Sequence, residues 1–292
     1  MEMPQSLVRT RCWRPAMSDD PLLDNTAEVG LFKGARGPAP VVVESVGVRF
    51  GGLIALDDVS LRVPTGELTA IIGPNGAGKT TLLNAMSGAF RGQMVGRVMV
   101  SGTDVSGWRT WRFAAAGIAR SFQHPPLIDS ETVLENVMIG LHHSLGYNNL
   151  QTVIRPAWCN KRERQMQSLG MAALEFVGLA RIANSVVGSI PYGARKLTDL
   201  ARALVSSPRL IMLDEPTSGL GADAREDMSR ILTSVLATKM TTLIVVEHHM
   251  DLVRAVANNV VGMQAGRVLI TGSPSDVLDS DVFLAAIVGR SG

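Results

Sequence analysis

Long apolar runs are missing from this chain of 292 residues. No stretch approaches the ~18–20 consecutive apolar residues that a helix needs to cross a bilayer. A membrane-spanning protein is therefore not expected. Cysteine is scarce. Cys12 and Cys159 stand far apart and lack metal-ligand spacing, which argues against a disulfide framework and a zinc site. Reduced structural thiols in a cytosolic protein are expected instead. An excess of one charge sign is also lacking. The formal net charge is +2, too close to balance to leave an electrostatic footprint for nucleic acid. Charged residues make up only 18%, which implies that part of the surface meets a partner. The early residues contain no apolar segment of the secretory type, and no internal repeat or low-complexity tract is visible.

Hydrophobic residues make up 46%, enough for the core of one large α/β domain or two small ones. Residues 1–40 differ from the rest. They carry Pro4, Pro15, Pro21, Pro38 and Pro40 with no sustained period, and are read as a disordered tail. That tail is either a solvated extension or a segment whose Arg9, Arg11, Trp13 and Arg14 touch a membrane surface. From Val41 to Phe50 the pattern is a strand, closed by a Gly51-Gly52 turn. Val59 to Val63 alternates like a half-buried strand, and Arg97 to Val100 forms another. Residues 108 to 190 read as mainly helical and strand-poor, with turns near Gly146 and Gly178. Leu210–Leu213 and Thr242–Val246 are continuous apolar runs of the kind that fill buried parallel strands. Between them a helix carries Met228, Ile231, Leu232, Val235 and Leu236 on one stripe. Val260–Met263 and Arg267–Ile270 flank Ala265-Gly266 as a hairpin, and a last helix is expected over residues 276–288. Strands alternating with helices imply a parallel sheet covered on both faces, with the helical stretch inserted into it.

The most informative segment is Gly73-Pro74-Asn75-Gly76-Ala77-Gly78-Lys79-Thr80, a Walker A pattern. The strand Leu68–Ile72 leads into it and a helical pattern beginning at Thr81 leaves it. Glycines let such a loop curl until several backbone N–H groups face one point, and the helix dipole adds to them. The result is a cradle for the phosphates of a nucleoside triphosphate. Lys79 is expected to reach the β- and γ-phosphates, and the Thr80 hydroxyl to hold Mg²⁺. The strand 210–213 ends in Asp214-Glu215-Pro216. An acid at such a strand tip is placed to hold Mg²⁺, as Asp214, and the next acid to polarise an attacking water, as Glu215. The alternative is that both acids simply cap a helix beginning near Pro216.

With these motifs stand Phe50-Gly51-Gly52-Leu53-Ile54-Ala55-Leu56, Gly117-Ile118-Ala119-Arg120-Ser121-Phe122-Gln123, Val246-Glu247-His248-His249-Met250 and Gly272-Ser273-Pro274. Together they resemble the nucleotide-binding subunits of ATP-binding-cassette (ABC) transporters, over residues 41–292. Within that family the chain is most similar to the ATPases of branched-chain amino acid importers. The resemblance implies an α/β P-loop NTPase fold: a RecA-like parallel-sheet core, an antiparallel β subdomain and an inserted helical subdomain over about 108–195. It implies that Phe50 stacks on adenine, that Gln123 contacts Mg²⁺ or the water, and that His248 donates to the γ-phosphate. It makes Gly73 to Thr81, including Pro74, Asn75, Gly76, Ala77 and Gly78, the nucleotide cradle, with ATP and Mg²⁺ as cofactors. His249 is expected to point elsewhere. The implied partners are two transmembrane permease subunits, a second ATPase subunit and, indirectly, a solute-binding protein, with the chain peripheral at the cytoplasmic face of the inner membrane. Pro125-Pro126-Leu127, beside Gln123, is read as part of the permease-docking surface or as a rigid loop.

Departures from the family pattern fall in one class. The signature loop, usually Leu-Ser-Gly-Gly-Gln, is here Ile190-Pro191-Tyr192-Gly193-Ala194, and Gly221 stands where Asp or Asn is usual. Pro191 has neither hydroxyl nor N–H. Gly193 still offers a backbone N–H across a dimer. Groups serving the chain's own nucleotide are intact, whereas groups donated to a partner's are eroded. This pattern implies either an asymmetric heterodimer with a paralogous ATPase, or a signature loop whose backbone groups suffice so that both sites turn over. Three other readings remain: a lipid or lipopolysaccharide extraction ATPase, a soluble ABC protein that does not transport, and a subunit that binds ATP but scarcely hydrolyses it.

Overall fold

The computed structural model describes residues 37–90, 92–141 and 157–288. In chain order the strands are β1 (Val41–Phe50), β2 (Leu53–Val63), β3 (Leu68–Ile72), β4 (Gln93–Val100), β5 (Thr103–Asp104), β6 (Ile118–Arg120), β7 (Leu210–Asp214), β8 (Thr242–Val246), β9 (Asn259–Gln264) and β10 (Arg267–Gly272). The helices are α1 (Lys79–Met86), α2 (Thr110–Ala115), α3 (Val133–Met138), α4 (Ala157–Phe176), α5 (Tyr192–Leu204), α6 (Ala222–Ala237), α7 (Met250–Val256), α8 (Pro274–Leu278) and α9 (Asp281–Val288). The first sheet is antiparallel, with order β2-β1-β4-β5, and the second has order β10-β9-β3-β8-β7-β6. Every adjacent pair of the second sheet is parallel except β9 with β10.

The uninterrupted apolar runs have a simple cause. All five residues of β3, β7 and β8 are buried, because the sheet is covered on both faces. Period-two alternation divides each strand between two cores. Ile211, Leu213, Leu243 and Val245 pack with the helical side, α3 to α6. Leu210, Met212, Ile244 and Val246 pack with α1 and the antiparallel sheet. The parallel strands therefore end together at one edge, where β3, β7 and β8 release the chain into loops.

The elements differ from expectation at several points. The stretch read as strand-poor contains β6, which extends the core sheet by pairing with β7. The 259–272 hairpin forms, and β9 also joins β3 in parallel. No helix starts at Pro216. Glu215 adopts φ 47°, in the left-handed region, and α6 begins only at Ala222 behind Gly221. The last helix is two: α8 opens on a capping box in which Ser273 and Asp276 bond reciprocally, and α9 follows after Ser280. Order starts before the expected boundary at 40. Ala39 is fully buried, and its N–H donates to the Arg209 carbonyl at 3.1 Å. Arg9, Arg11, Cys12, Trp13, Arg14 and Gly146 lie outside the described residues, as does the side chain of Cys159.

Candidate functional site

The Walker A loop is held open by packing on the strands around it. Gly73 has φ +150°, and a Cβ there would lie 2.2 Å from the Met263 carbonyl oxygen. Gly78, with φ +96°, caps α1 and faces the Ala55 carbonyl, where a Cβ would sit at 2.7 Å. Glycine is required at both positions by space and by backbone conformation together. Inside the loop, Ala77 N–H donates to the Pro74 carbonyl at 3.1 Å, and Gly266 N–H donates to the Ala77 carbonyl at 3.0 Å. Asn75 and Gly76 are exposed at its crest, and Thr81 is half-buried on α1. Lys79 is buried, and its Nζ donates to the carbonyls of Gly73 at 2.8 Å and Pro74 at 3.0 Å. Burial lowers the Lys79 pKa, and the nearby carboxylates of Glu215 and Asp214 oppose that shift.

β7 delivers Asp214 to the same edge. Thr80 Oγ1 donates to Asp214 Oδ1 at 3.4 Å, and Arg120 Nη2 donates to Asp214 Oδ2 at 3.3 Å. This ion pair is buried, with side chains 8% and 5% exposed. Arg120 also donates to Ser87 Oγ at 2.6 Å and lies over the Phe122 ring. Burial pushes the Asp214 carboxyl up, and Arg120 opposes that shift. Glu215 follows in strained backbone, its N–H donating to the Val246 carbonyl at 2.9 Å. Gln123 Nε2 donates to Glu215 Oε2 at 2.7 Å, and His248 Nδ1 lies 3.9 Å from Glu215 Oε1. Lys79, Thr80, Gln123, Asp214, Glu215 and His248 thus meet at one edge of the sheet, although they come from distant parts of the chain.

Phe50 and Gly193 lie outside this cluster. Phe50 pairs in register with Leu53 beside the Gly51-Gly52 turn, 51% exposed, and meets Phe90 edge-on at 5.3 Å. Gly193 is partly exposed on the first turn of α5. Pro191 occupies the N-cap of that helix without a side-chain hydrogen bond, and Ala194 is fully buried.

Three residues given no role from sequence prove central to the geometry: Arg120, Lys196 and Glu247. Arg120 ends the short β6 and supplies the only side-chain cation paired with Asp214 among the described residues. Glu247 is fully buried. It accepts from Thr217 N–H at 3.0 Å, Thr217 Oγ1 at 2.6 Å and His248 N–H at 3.0 Å. It thereby fixes the backbone that carries His248. His249 turns away from Glu215, as expected, with Nδ1 3.1 Å from Thr217 Oγ1 and 3.3 Å from Glu247 Oε2. Lys196, on α5, is 4% exposed and donates to the carbonyls of Gln123 and Glu215. A readable signal existed for it: Lys196 and Asp199 interrupt the apolar face of α5 with opposite charges one turn apart.

Comparison with known proteins gives the family of the chain. The family model described as ABC transporter matches residues 56–218. The high-affinity branched-chain amino acid transport ATP-binding protein BraF of Pseudomonas aeruginosa is 30% identical over 249 residues, 85% of this chain and 97% of that protein. LivG of Escherichia coli K12, of the same description, is 30% identical over 252 residues, again 85% and 97%. Among solved structures, the ADP conformation of MJ1267, an ATP-binding cassette of an ABC transporter, superposes with TM-score 0.73 at 30% identity, covering 86% of this chain and 99% of that one.

Proposed function

The chain belongs to the ABC transporter family, and we propose that it is the ATP-hydrolysing subunit of an importer for branched-chain amino acids or related small solutes. Its fold is accordingly that of a P-loop ABC cassette. The observation that carries the reading is the convergence of Lys79, Thr80, Asp214, Gln123, Glu215 and His248 at one sheet edge. The relatives' names support the solute class.

Each residue has a role that its setting supports. The backbone N–H groups of residues 73–81, with Lys79, bind the ATP phosphates, and Phe50 offers an exposed ring face to the adenine. The Thr80 hydroxyl and the Asp214 carboxylate, 3.4 Å apart, form an oxygen pair of the chemistry Mg²⁺ prefers, with Gln123 alongside. Mg²⁺, when bound, neutralises charge on the phosphate oxygens. Glu215, oriented by Gln123, polarises the attacking water, and His248 donates to the γ-phosphate. Gly193 presents its N–H to nucleotide held by a second subunit.

No helix among the described residues is long and apolar enough to cross a membrane. In this reading the chain sits peripherally at the cytoplasmic face of the inner membrane. It docks on two transmembrane permease subunits, pairs with a second ATPase, and depends indirectly on a solute-binding protein. The second ATPase is a paralogue. Pro191 and Ala194 leave this chain's contribution to the partner's site weaker than the partner's contribution here.

The test uses the complex purified through a tag on this chain. Glu215→Gln should retain ATP binding and lose turnover by ~10²-fold or more. The equivalent substitution in the co-purified ATPase should reduce turnover less. Undiminished hydrolysis in Glu215→Gln would overturn the catalytic assignment, equal losses would overturn asymmetry, and recovery without membrane subunits would overturn the transporter.

A further inference from the structure

Helix α5 touches the 122–126 segment at every turn. Tyr192 OH donates to the Gln123 carbonyl at 3.3 Å, and Lys196 Nζ donates to the same oxygen at 2.6 Å. One turn on, Asp199 Oδ2 accepts from Phe122 N–H at 3.4 Å. Arg202, ion-paired with Asp199, donates to the Pro126 carbonyl at 2.8 Å. Spacings of three and four residues put these side chains on one stripe. Lys196 differs from the others because its second bond leaves both the helix and the 122–126 segment and reaches the Glu215 carbonyl at 3.0 Å.

That second bond falls on a strained peptide. Glu215 has φ 47°, a region that non-glycine residues occupy only when their surroundings hold them there. Its N–H is fixed by Val246, and its carbonyl by the Lys196 ammonium together with Ser218 N–H, which donates at 3.1 Å. Its side chain is fixed by Gln123, whose own carbonyl is held by Lys196. The ammonium is thus the shared anchor of both residues that meet at the Glu215 carboxylate.

We propose that Lys196 is a positioning residue for ATP hydrolysis, holding the Glu215 and Gln123 carbonyls so that their side chains meet at the point of water attack. The proposal rests on the reading of Glu215 as the water-polarising acid. It adds a path between two faces of the subunit. Tyr192 and Gly193 begin α5 at the edge offered to a second ATPase, and Lys196, one turn later, grips the chain's own site. A shift of the helix start is carried to Glu215 within a single turn of helix. Burial lowers the Lys196 pKa, and Asp199, Glu247, Glu215 and Asp214 oppose that shift. The site thus surrounds this ammonium with carboxylates.

A residue that only stabilises the fold would change activity in proportion to the folded fraction. A positioning residue changes turnover while leaving nucleotide affinity alone, because Lys196 has no hydrogen bond to the Walker A loop among the described residues. The experiment compares Lys196→Met, Lys196→Arg and Glu215→Gln in the purified complex. Fluorescent-ATP titration gives Kd, phosphate release gives kcat, and thermal melting confirms folding at the assay temperature. Lys196→Met is expected to keep Kd within about twofold and lower kcat by ~10- to 100-fold, the scale of a misplaced catalytic group. Lys196→Arg, which keeps a charged donor, should regain a substantial part of the loss. If Lys196→Met does not fold, Lys196→Gln, which retains a donor, carries the same comparison. A folded variant with kcat within twofold of the parent overturns the proposal, as does a parallel loss of kcat and ATP affinity. Should Glu215→Gln stay active, the underlying reading fails instead, so the two failures are told apart.

Discussion

Arg120→Met should expose how strongly Asp214 depends on its counter-charge. The pair is buried on both sides, at 8% and 5% side-chain exposure. Removing one member of such a pair costs about 3–5 kcal/mol, because the other charge is left uncompensated. Two features reduce that figure here. The contact is 3.3 Å long, and Asp214 keeps the Thr80 hydroxyl as a donor. Its pKa is moreover raised by burial already, so the carboxyl can escape part of the penalty by taking a proton. Loss of the bond to Ser87 adds a smaller amount. The net expectation at pH 8 is a loss of about 2–4 kcal/mol. For a domain of this size that lowers Tm by about 5–15 °C. The pH dependence carries the sign. A carboxyl whose folded pKa lies above its unfolded value destabilises increasingly as pH rises through the interval between them. The stability gap between Arg120→Met and the parent should therefore narrow on acidification through the raised Asp214 pKa. Denaturant unfolding at several pH values measures the gap. Adding Asp214→Asn should recover part of it, with a coupling of about 1–3 kcal/mol. A gap that is under about 0.5 kcal/mol, or that is independent of pH and additive with Asp214→Asn, refutes the argument.

Two further outcomes are expected. Gly73→Ala drives a Cβ to 2.2 Å from the Met263 carbonyl, and should destabilise the chain by about 1–3 kcal/mol and weaken ATP binding. Denaturation with fluorescent-nucleotide titration checks both, and parental values would mean that the loop relaxes freely. Thr132 caps α3 reciprocally with Glu135, whose pKa it holds below the ordinary glutamate range, and Thr132→Ala should cost about 0.5–2 kcal/mol at pH 7. Because the Glu135 pKa is depressed, its share of that stabilisation is complete above the ordinary range and lost as pH falls through the folded value. A difference between the parent and Thr132→Ala that stays constant down to pH 3 would refute the linkage.

What could be read from sequence, and what could not, divides along the range of the interactions. β3, β7 and β8 were legible because burial on both faces leaves an unbroken apolar run. The ends of those strands carry the Walker A loop, legible from its own motif, the acid Asp214, and the approach to His248, whose role is implied by the family resemblance. β6 was missed because three residues carry no period. The start of α6 lies later than the sequence suggests because Glu215 turns left-handed; Ser218 N–H holds its carbonyl locally, but Lys196, Val246 and Gln123, which hold the rest, are remote in sequence. Arg120 and Lys196 share that difficulty. A buried charge gains its meaning from its partner, and Asp214 lies 94 positions from Arg120 while Gln123 lies 73 from Lys196. The apolar pattern over residues 276–288 reads as one helix; it does not reveal the second start, where Ser280 Oγ accepts from Phe283 N–H at 3.2 Å.

The stripe on α5 also decides how portable these parts are. Gln123 and its neighbours look like an exchangeable loop, and Tyr192 to Arg202 like an exchangeable helix, yet neither carries its own fastening. A chimera that takes residues 122–126 from a relative while keeping this helix asks its donors to meet another backbone path, and the reverse graft takes Lys196 away from the Gln123 and Glu215 carbonyls it holds. The two segments form one heritable module split across the chain. Recombination between paralogues should succeed when both cross together and fail when either crosses alone.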